Sequence, residues 1–412
     1  GGEPELVFQQ NSAAFPLRGR PVQQIDYAAV SGSGEVTMLV RTPDYEMELI
    51  SVRKGEQAVS FLKAGDTVDV RAPLSFSGIL QGDRSGPAHV FLGGFGSSIW
   101  EVSPGVLKPT LLIGERIAGI QLYTGSNTAN ARKAPNGEIY LTQTSGAGLL
   151  RIRRDERDFA LRPPVTLSEG ITAGAPFNIT VNGRGDLLWQ ATTNRGDQRL
   201  VLTRNGQHTP LLGNGVNNQP VTRVDGAVVT SWAGQLLDGQ GRVMATLRFA
   251  GGSAGLYIWQ DGNWRLMAMA GVTEHRGRPV AGFGNMRAGE DGFYVVLNLS
   301  GLGNTLARWR QDGWETVIAT DETIVTGHLA NNVGTFEVNR SGDVFAQCNT
   351  NSQVLVVKRG ARTHYIQALN DLTPDGDLIV RTTEYDLRDD GTVYFLGLTA
   401  SDEYVLYMAK PM

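Results

Sequence analysis

The run Asn339-Arg340-Ser341-Gly342 leads into Asp343-Val344-Phe345-Ala346-Gln347-Cys348. After a polar break the chain continues as Val354-Leu355-Val356-Val357 and closes on Lys358-Arg359-Gly360. The order is turn, strand, turn, strand, turn. The polar residue at the head can bond the backbone inside the turn, and the glycine accepts a positive φ. In both directions from here the head glycine recurs, at Gly34, Gly86, Gly137, Gly185, Gly241, Gly292, Gly342 and Gly391. The steps are 52, 51, 48, 56, 51, 50 and 49 residues. Eight copies at a near-constant period define a repeat architecture, and the runs between the turns make it one of strands.

Each copy supplies four strands. One, such as Ile25 to Val30, enters the head turn, and a second leaves it, as in Glu138-Ile139-Tyr140-Leu141. A third ends near a second glycine: Gly55, Gly105, Gly206, Gly262, Gly313 or Gly360, with Arg154-Asp155 standing there in the copy headed by Gly137. A short fourth follows, as in Trp264-Arg265-Leu266-Met267. Four antiparallel strands in roughly 50 residues describe a propeller blade. The last copy runs out after its third strand, Tyr404 to Met408, while Glu5-Leu6-Val7-Phe8-Gln9 belongs to no copy. The sequence therefore predicts an all-β, eight-bladed β-propeller of four-stranded antiparallel blades, one domain over residues 1–412. Its ring is closed by the N-terminal strand, residues 5–9, which completes the C-terminal blade. Closure removes the free edge that an open array would expose.

A chain of 412 residues would ordinarily suggest two or three domains, but a closed ring of sheets is one. The 52 glycines, about one residue in eight, suit frequent tight turns. The net charge of -4 argues against the basic face of a general nucleic-acid binder. No apolar run approaches the roughly 18 residues of a membrane-spanning helix. The one cysteine, Cys348, excludes an internal disulfide and sits in a strand, where a thiol packs as a small hydrophobe. Low lysine content, Gly/Asn/Thr richness and the β-repeat point to an extracellular or cell-envelope protein. A start at Gly1-Gly2-Glu3, with neither methionine nor an apolar leader, fits either a mature form or a chain trimmed for expression.

The segment Asn339-Arg340-Ser341-Gly342-Asp343-Val344-Phe345 resembles the tandem repeat of bacterial secreted proteins with an N-x-x-G-x-x-A-F signature, and Asn182 to Leu188 is a looser match. The Ala-Phe pair is not kept in order, and no sorting segment follows Lys410-Pro411-Met412. The resemblance implies an extracellular β-repeat protein and carries no catalytic residue over.

Function on repeat folds resides in the loops that join one unit to the next. The most charged of these is Glu274-His275-Arg276-Gly277-Arg278, in the longest repeat, and His328 falls in another. Glu274, His275, Arg276, Arg278 and His328 are thus the candidate ligand-binding set. Arginines beside a histidine can neutralise a sugar carboxylate while the imidazole takes a proton, as a polysaccharide lyase requires; Tyr123 would be the acid. The acids Asp66, Glu115, Glu169, Asp321 and Glu322 lie in equivalent loops and could ring a hard cation such as Ca²⁺, although Gly-Asp and Gly-Glu pairs also serve as plain turns. His89, His208 and His364 fall in strands and read as structural. Trp100, Trp259 and Trp309 in third strands, with Trp264 and Trp314 in fourth strands, read as packing between blades. No H-E-x-x-H or phosphate-cradling glycine loop is present. The leading expectation is a non-catalytic binding module for a glycan or protein ligand on the loop face, with no cofactor. The alternatives are a polysaccharide lyase or hydrolase, and a structural module of a surface layer.

Overall fold

The computed structural model describes residues 4–12, 17, 20–44, 46–64, 66, 76–80, 87–92, 98–103, 106–112, 114–122, 131–143, 148–154, 156–214, 222–320, 323–325, 328–349, 353–373, 376 and 378–410. Eight antiparallel sheets succeed one another as blades 1 to 8. Blade 1 comprises Gln24–Val30, Val36–Arg41, Met47–Val52 and Val59–Lys63, paired in that order. Blades 2 to 7 repeat the order, opening with Phe76–Leu80, Ala131–Lys133, Phe177–Val181, Ala227–Leu237, Arg278–Ala288 and Asn332–Val338. The first strands of successive blades approach one another, so they surround the axis and the fourth strands form the outside.

Blade 8 contributes only Ile379–Leu387, Val393–Thr399 and Tyr404–Ala409, and its outer strand is Glu5–Gln9. That strand runs antiparallel to Tyr404–Ala409, with Glu5 opposite Met408 and Gln9 opposite Val405. The hydrophobic core confirms the ring. It divides into eight clusters, each built from two adjacent blades, and one of them joins Tyr394, Leu396 and Leu406 of blade 8 to Val36, Met38 and Ile50 of blade 1. Middle strands are therefore covered on both faces, which is why Val36–Arg41 and Met47–Val52 are buried almost throughout.

The head turns stitch the blades together. Asn182 is 3 % exposed; its Oδ1 accepts from the Asp186 amide at 3.0 Å, and its Nδ2 donates to the Asp238 carbonyl of the next head turn at 3.0 Å. Asn339 repeats both contacts, to the Asp343 amide and to the Arg388 carbonyl, each at 2.8 Å. At the ring junction the guanidinium of Arg388 takes this role and donates to the Ser31 and Gly32 carbonyls of blade 1.

Six head glycines have φ between 80° and 87°. Gly292 does not, and this corrects the sequence expectation. In blade 6 the Gly289 amide closes on the Gly292 carbonyl at 2.8 Å, making the turn one residue shorter than in blade 4, where the Asn182 amide closes on Asp186. Gly292 stands where the others carry a side chain, and it is required there by proximity: a Cβ would lie 2.5 Å from the Trp309 carbonyl oxygen.

The tryptophans pack between blades as expected. In blades 5 and 6 the second residue of the outer strand bonds the preceding blade, Trp264 Nε1 to the Leu211 carbonyl at 3.2 Å and Trp314 Nε1 to the Met267 carbonyl at 3.0 Å. Arg157 Nε makes the equivalent bond to Thr110 at 3.0 Å. Cys348 is fully buried in the second strand of blade 7.

Candidate functional site

Among the described residues, several connections between blades carry short paired segments. Arg116–Ile117 pairs with Ile120–Gln121, Val165–Thr166 with Thr172–Ala173, Arg223–Val224 with Ala227 and Val228, Glu274–His275 with Arg278 and Pro279, and Thr323–Val325 with His328–Leu329. Single bridges at Leu17–Arg20 and Leu372–Leu378 mark the same feature. Several tips are two-residue turns with both residues at positive φ: Ala118-Gly119, Asp225-Gly226 and Arg276-Gly277. This backbone twist matches that of a tight hairpin.

The repeated hairpin explains His275. Its counterparts are Ile117 and Val224, both buried, so the position points inward. His275 is 9 % exposed, and its Nε2 lies 3.0 Å from Thr316 Oγ1 in the outer strand of blade 6. Burial, and next the charge of Arg276, lower its pKa, so the ring is neutral near pH 7. Arg276 Nη1 donates to the Thr320 carbonyl at 3.1 Å. These two members of the predicted set hold the hairpin down on blade 6. Glu274 and Arg278 are exposed beside it. His328 lies in the paired strand His328–Leu329 of the next connection, and Tyr123 lies outside the described residues.

The acids behave as turn makers. Asp66 Oδ2 accepts from the Lys63 amide at 2.9 Å. Glu115 accepts from the Leu112 amide at 3.3 Å and pairs with Arg157 at 2.6 Å. Glu169 lies 3.6 Å from Arg199, which is buried against the fully buried Asp197 at 2.8 Å. Each belongs to its own connection, and among the described residues no three His, Cys, Asp or Glu side chains converge on a metal-sized site. Asp321 and Glu322 lie outside the described residues.

The exposed part of this face is in places apolar. Val272, in the connection from blade 5 to blade 6, is 70 % exposed, and Leu372, in that from blade 7 to blade 8, is 68 % exposed.

The hairpin had a signal in the sequence. Leu17-Arg18-Gly19-Arg20-Pro21-Val22 and His275-Arg276-Gly277-Arg278-Pro279-Val280 share Arg-Gly-Arg-Pro-Val, so the most charged connection is a second copy of a structural element.

No protein-family model matches the chain, and no curated protein matches it. Among solved structures it is similar to the Dos1 propeller, with 9 % identity, 99 % of this chain and 96 % of that one covered, and a TM-score of 0.45. It is also similar to Sqt1 of Saccharomyces cerevisiae, with 7 % identity, 100 % of both chains covered and a TM-score of 0.42. Similarity to YCF48 bound to D1 peptide is 11 % in identity over 82 % of this chain and 93 % of that one, with a TM-score of 0.36. At these identities the likeness is one of fold alone, and the β-propeller is read from the eight sheets and the core clusters described above.

Proposed function

We propose that this propeller is a non-catalytic binding module of the cell exterior or envelope that docks a protein partner on its hairpin face. One observation carries the reading: Val272 and Leu372 stand exposed on connections of the same face, above a scaffold whose inward positions are already filled. Large apolar side chains left this exposed on one face are what a docking partner would cover. The exposed Glu274 and Arg278 supply a polar rim beside Val272. The buried, neutral His275 supports binding over catalysis, because a general base must reach its substrate's proton.

The test has two arms. A photoreactive residue at position 272 or 372 is exposed to the envelope and extracellular fractions of the source cells, with position 59, on an outer strand, as control. Adducts specific to 272 and 372 are expected, and equal labelling at 59 would overturn the docking face. The second arm incubates the protein with neutral and uronate-containing polysaccharides, with calcium or EDTA. No new chain ends are expected; ends that disappear in His275→Ala would establish an enzyme and overturn the non-catalytic reading.

A further inference from the structure

The charges of the hairpin face are sorted by blade. Antiparallel strands alternate in direction, so the turns between second and third strands lie on this face together with the connections. Arg116 in the connection from blade 2 to blade 3, Arg162 in that from blade 3 to blade 4 and Arg278 in that from blade 5 to blade 6 are exposed. Arg248, opposite Ala254 at the hairpin end of the second strand of blade 5, is exposed too. Among the described residues none of these four guanidinium groups has a hydrogen bond or a carboxylate partner. Arg223, in the connection from blade 4 to blade 5, donates to the Gly226 carbonyl of its own hairpin at 3.0 Å and meets no carboxylate there.

The acids of this arc, from blade 3 to blade 6, are mostly committed: Glu115 to Arg157, Glu169 and Asp197 to Arg199, and Asp225 to the Tyr257 hydroxyl. The opposite arc, blades 8 and 1, has the reverse character. Asp371, Asp402 and Glu46 are exposed there, while the exposed Arg20 is paired with Asp44. Val272 lies within the basic arc, on the same connection as Arg278, and Pro164 and Pro279 are exposed on it as well. The cavity of about 800 Å³ between blades 2 and 3 differs in this respect. His89 borders it where three other blades have Tyr140, Tyr294 and Tyr394, and its charged walls already hold partners, Lys133 on the Pro87 carbonyl and Arg157 on Glu115.

We infer that the arc of the hairpin face from blade 3 to blade 6 docks an acidic segment of a protein partner, with its carboxylates on Arg116, Arg162, Arg248 and Arg278 and its apolar side chains over Val272. The inference rests on the docking proposed above and adds the chemistry of the partner. A guanidinium free of other bonds offers a carboxylate a two-pronged, charge-assisted contact. The same partner is repelled by Asp371, Asp402 and Glu46, so the sorted charges fix how it lands. A protein segment suits the arc better than other polyanions. An anionic polysaccharide has no apolar side chain to cover Val272. A nucleic acid or an anionic bilayer laid across the face meets the acids of blades 8 and 1 as well as the arginines.

The experiment is fluorescence anisotropy of the whole chain with a labelled peptide of about 20 residues, the size of one side of an interface, made of glutamate with leucine at intervals. It is expected to bind, with an affinity that falls roughly tenfold as salt rises from about 50 to 300 mM, while the same peptide with lysine for glutamate does not bind. Arg162→Glu and Arg278→Glu change exposed side chains that make no bond in the fold, and each is expected to weaken binding about fivefold or more. Arg184→Glu makes the same charge change in a head turn on the opposite face and should leave binding as it is. A glutamate-leucine peptide that does not bind, or that is weakened equally by Arg184→Glu, overturns the acidic partner. Tighter binding of duplex DNA, of polygalacturonate or of phosphatidylglycerol vesicles overturns the assignment to a protein. Photoadducts at position 272 that ignore both salt and the two arginine variants overturn the acidic partner and leave the docking face standing.

Discussion

Burial, with the nearby charge of Lys133 next, pushes the pKa of His89 down from its ordinary 6.5 to about 3. Between those values the unfolded chain holds a proton on this ring and the folded chain does not. Stability from this group is thus complete above pH 6.5 and is lost as the pH falls toward 3. At pH 5 the loss is ~2 kcal/mol. Urea melts at pH 7.5 and pH 5 should show a steeper fall for the native protein than for His89→Gln; equal slopes would mean that the ring is solvated in the fold. Cys348 gives a second residue-level expectation. Burial pushes its thiol up to about 12, so it is neither ionised nor reachable at neutral pH. Ellman's reagent should leave the native protein unlabelled over an hour and label one thiol in denaturant. Both residues were placed in strands from the sequence. That His89 would border a cavity was not legible, because this follows from which blade face its row turns toward.

Between elements, the outer-strand bonds and head-turn staples join sheets that have no backbone ladder in common. Trp314→Phe keeps the ring packed edge-on against Trp309, 5.1 Å away, but removes the bond to the Met267 carbonyl. A loss of ~1 kcal/mol is expected in urea melts. Asn339→Ala should cost more, roughly 1–3 kcal/mol, because the Asp343 amide and the Arg388 carbonyl lose a buried partner together. Asn339→Asp should be no better, since it sets a carboxylate beside that of Asp343, now 3.2 Å from the asparagine Nδ2. A result within experimental error of wild type for both Asn339 variants would show that the staple is dispensable. The turn itself was legible from Asn339 and Gly342. The reach of the amide into the next blade was not, because its partner lies 49 residues away along the chain.

For the molecule as a whole, the closure is the feature most open to a deletion test. Val7 and Phe8 are fully buried between blades 8 and 1, which at roughly 1.5–3 kcal/mol per side chain makes residues 5–9 a sizeable share of domain stability. Deleting residues 1–9 leaves Tyr404–Ala409 as an unpaired edge. Light scattering after size exclusion should show self-association and a lowered thermal midpoint, and adding the 1–12 peptide should restore the monomer. A truncated chain that stays monomeric with an unchanged midpoint would show that the ring holds without this strand.

The sequence by itself determined the repeat, the strand order within each blade and the surplus strand that closes the ring. These follow from local rules, the period of the glycine turns and the apolar runs between them, which every copy states again. The Arg-Gly-Arg-Pro-Val pair of residues 18–22 and 276–280 carries a trace of the repeated hairpin, but from the sequence the charged connection reads as chemistry, and the pair gains its meaning only beside the paired strands. Only the tertiary structure decided which residues face a neighbour. The side chain that reads as a base at His275 is packed against Thr316, and the one that reads as structural at His89 opens a cavity where three other blades have a tyrosine. The physical reason is that a seam is formed by two sheets with independent side-chain rows. Whether it is filled or open depends on the fit of both rows together, and neither row alone encodes that fit.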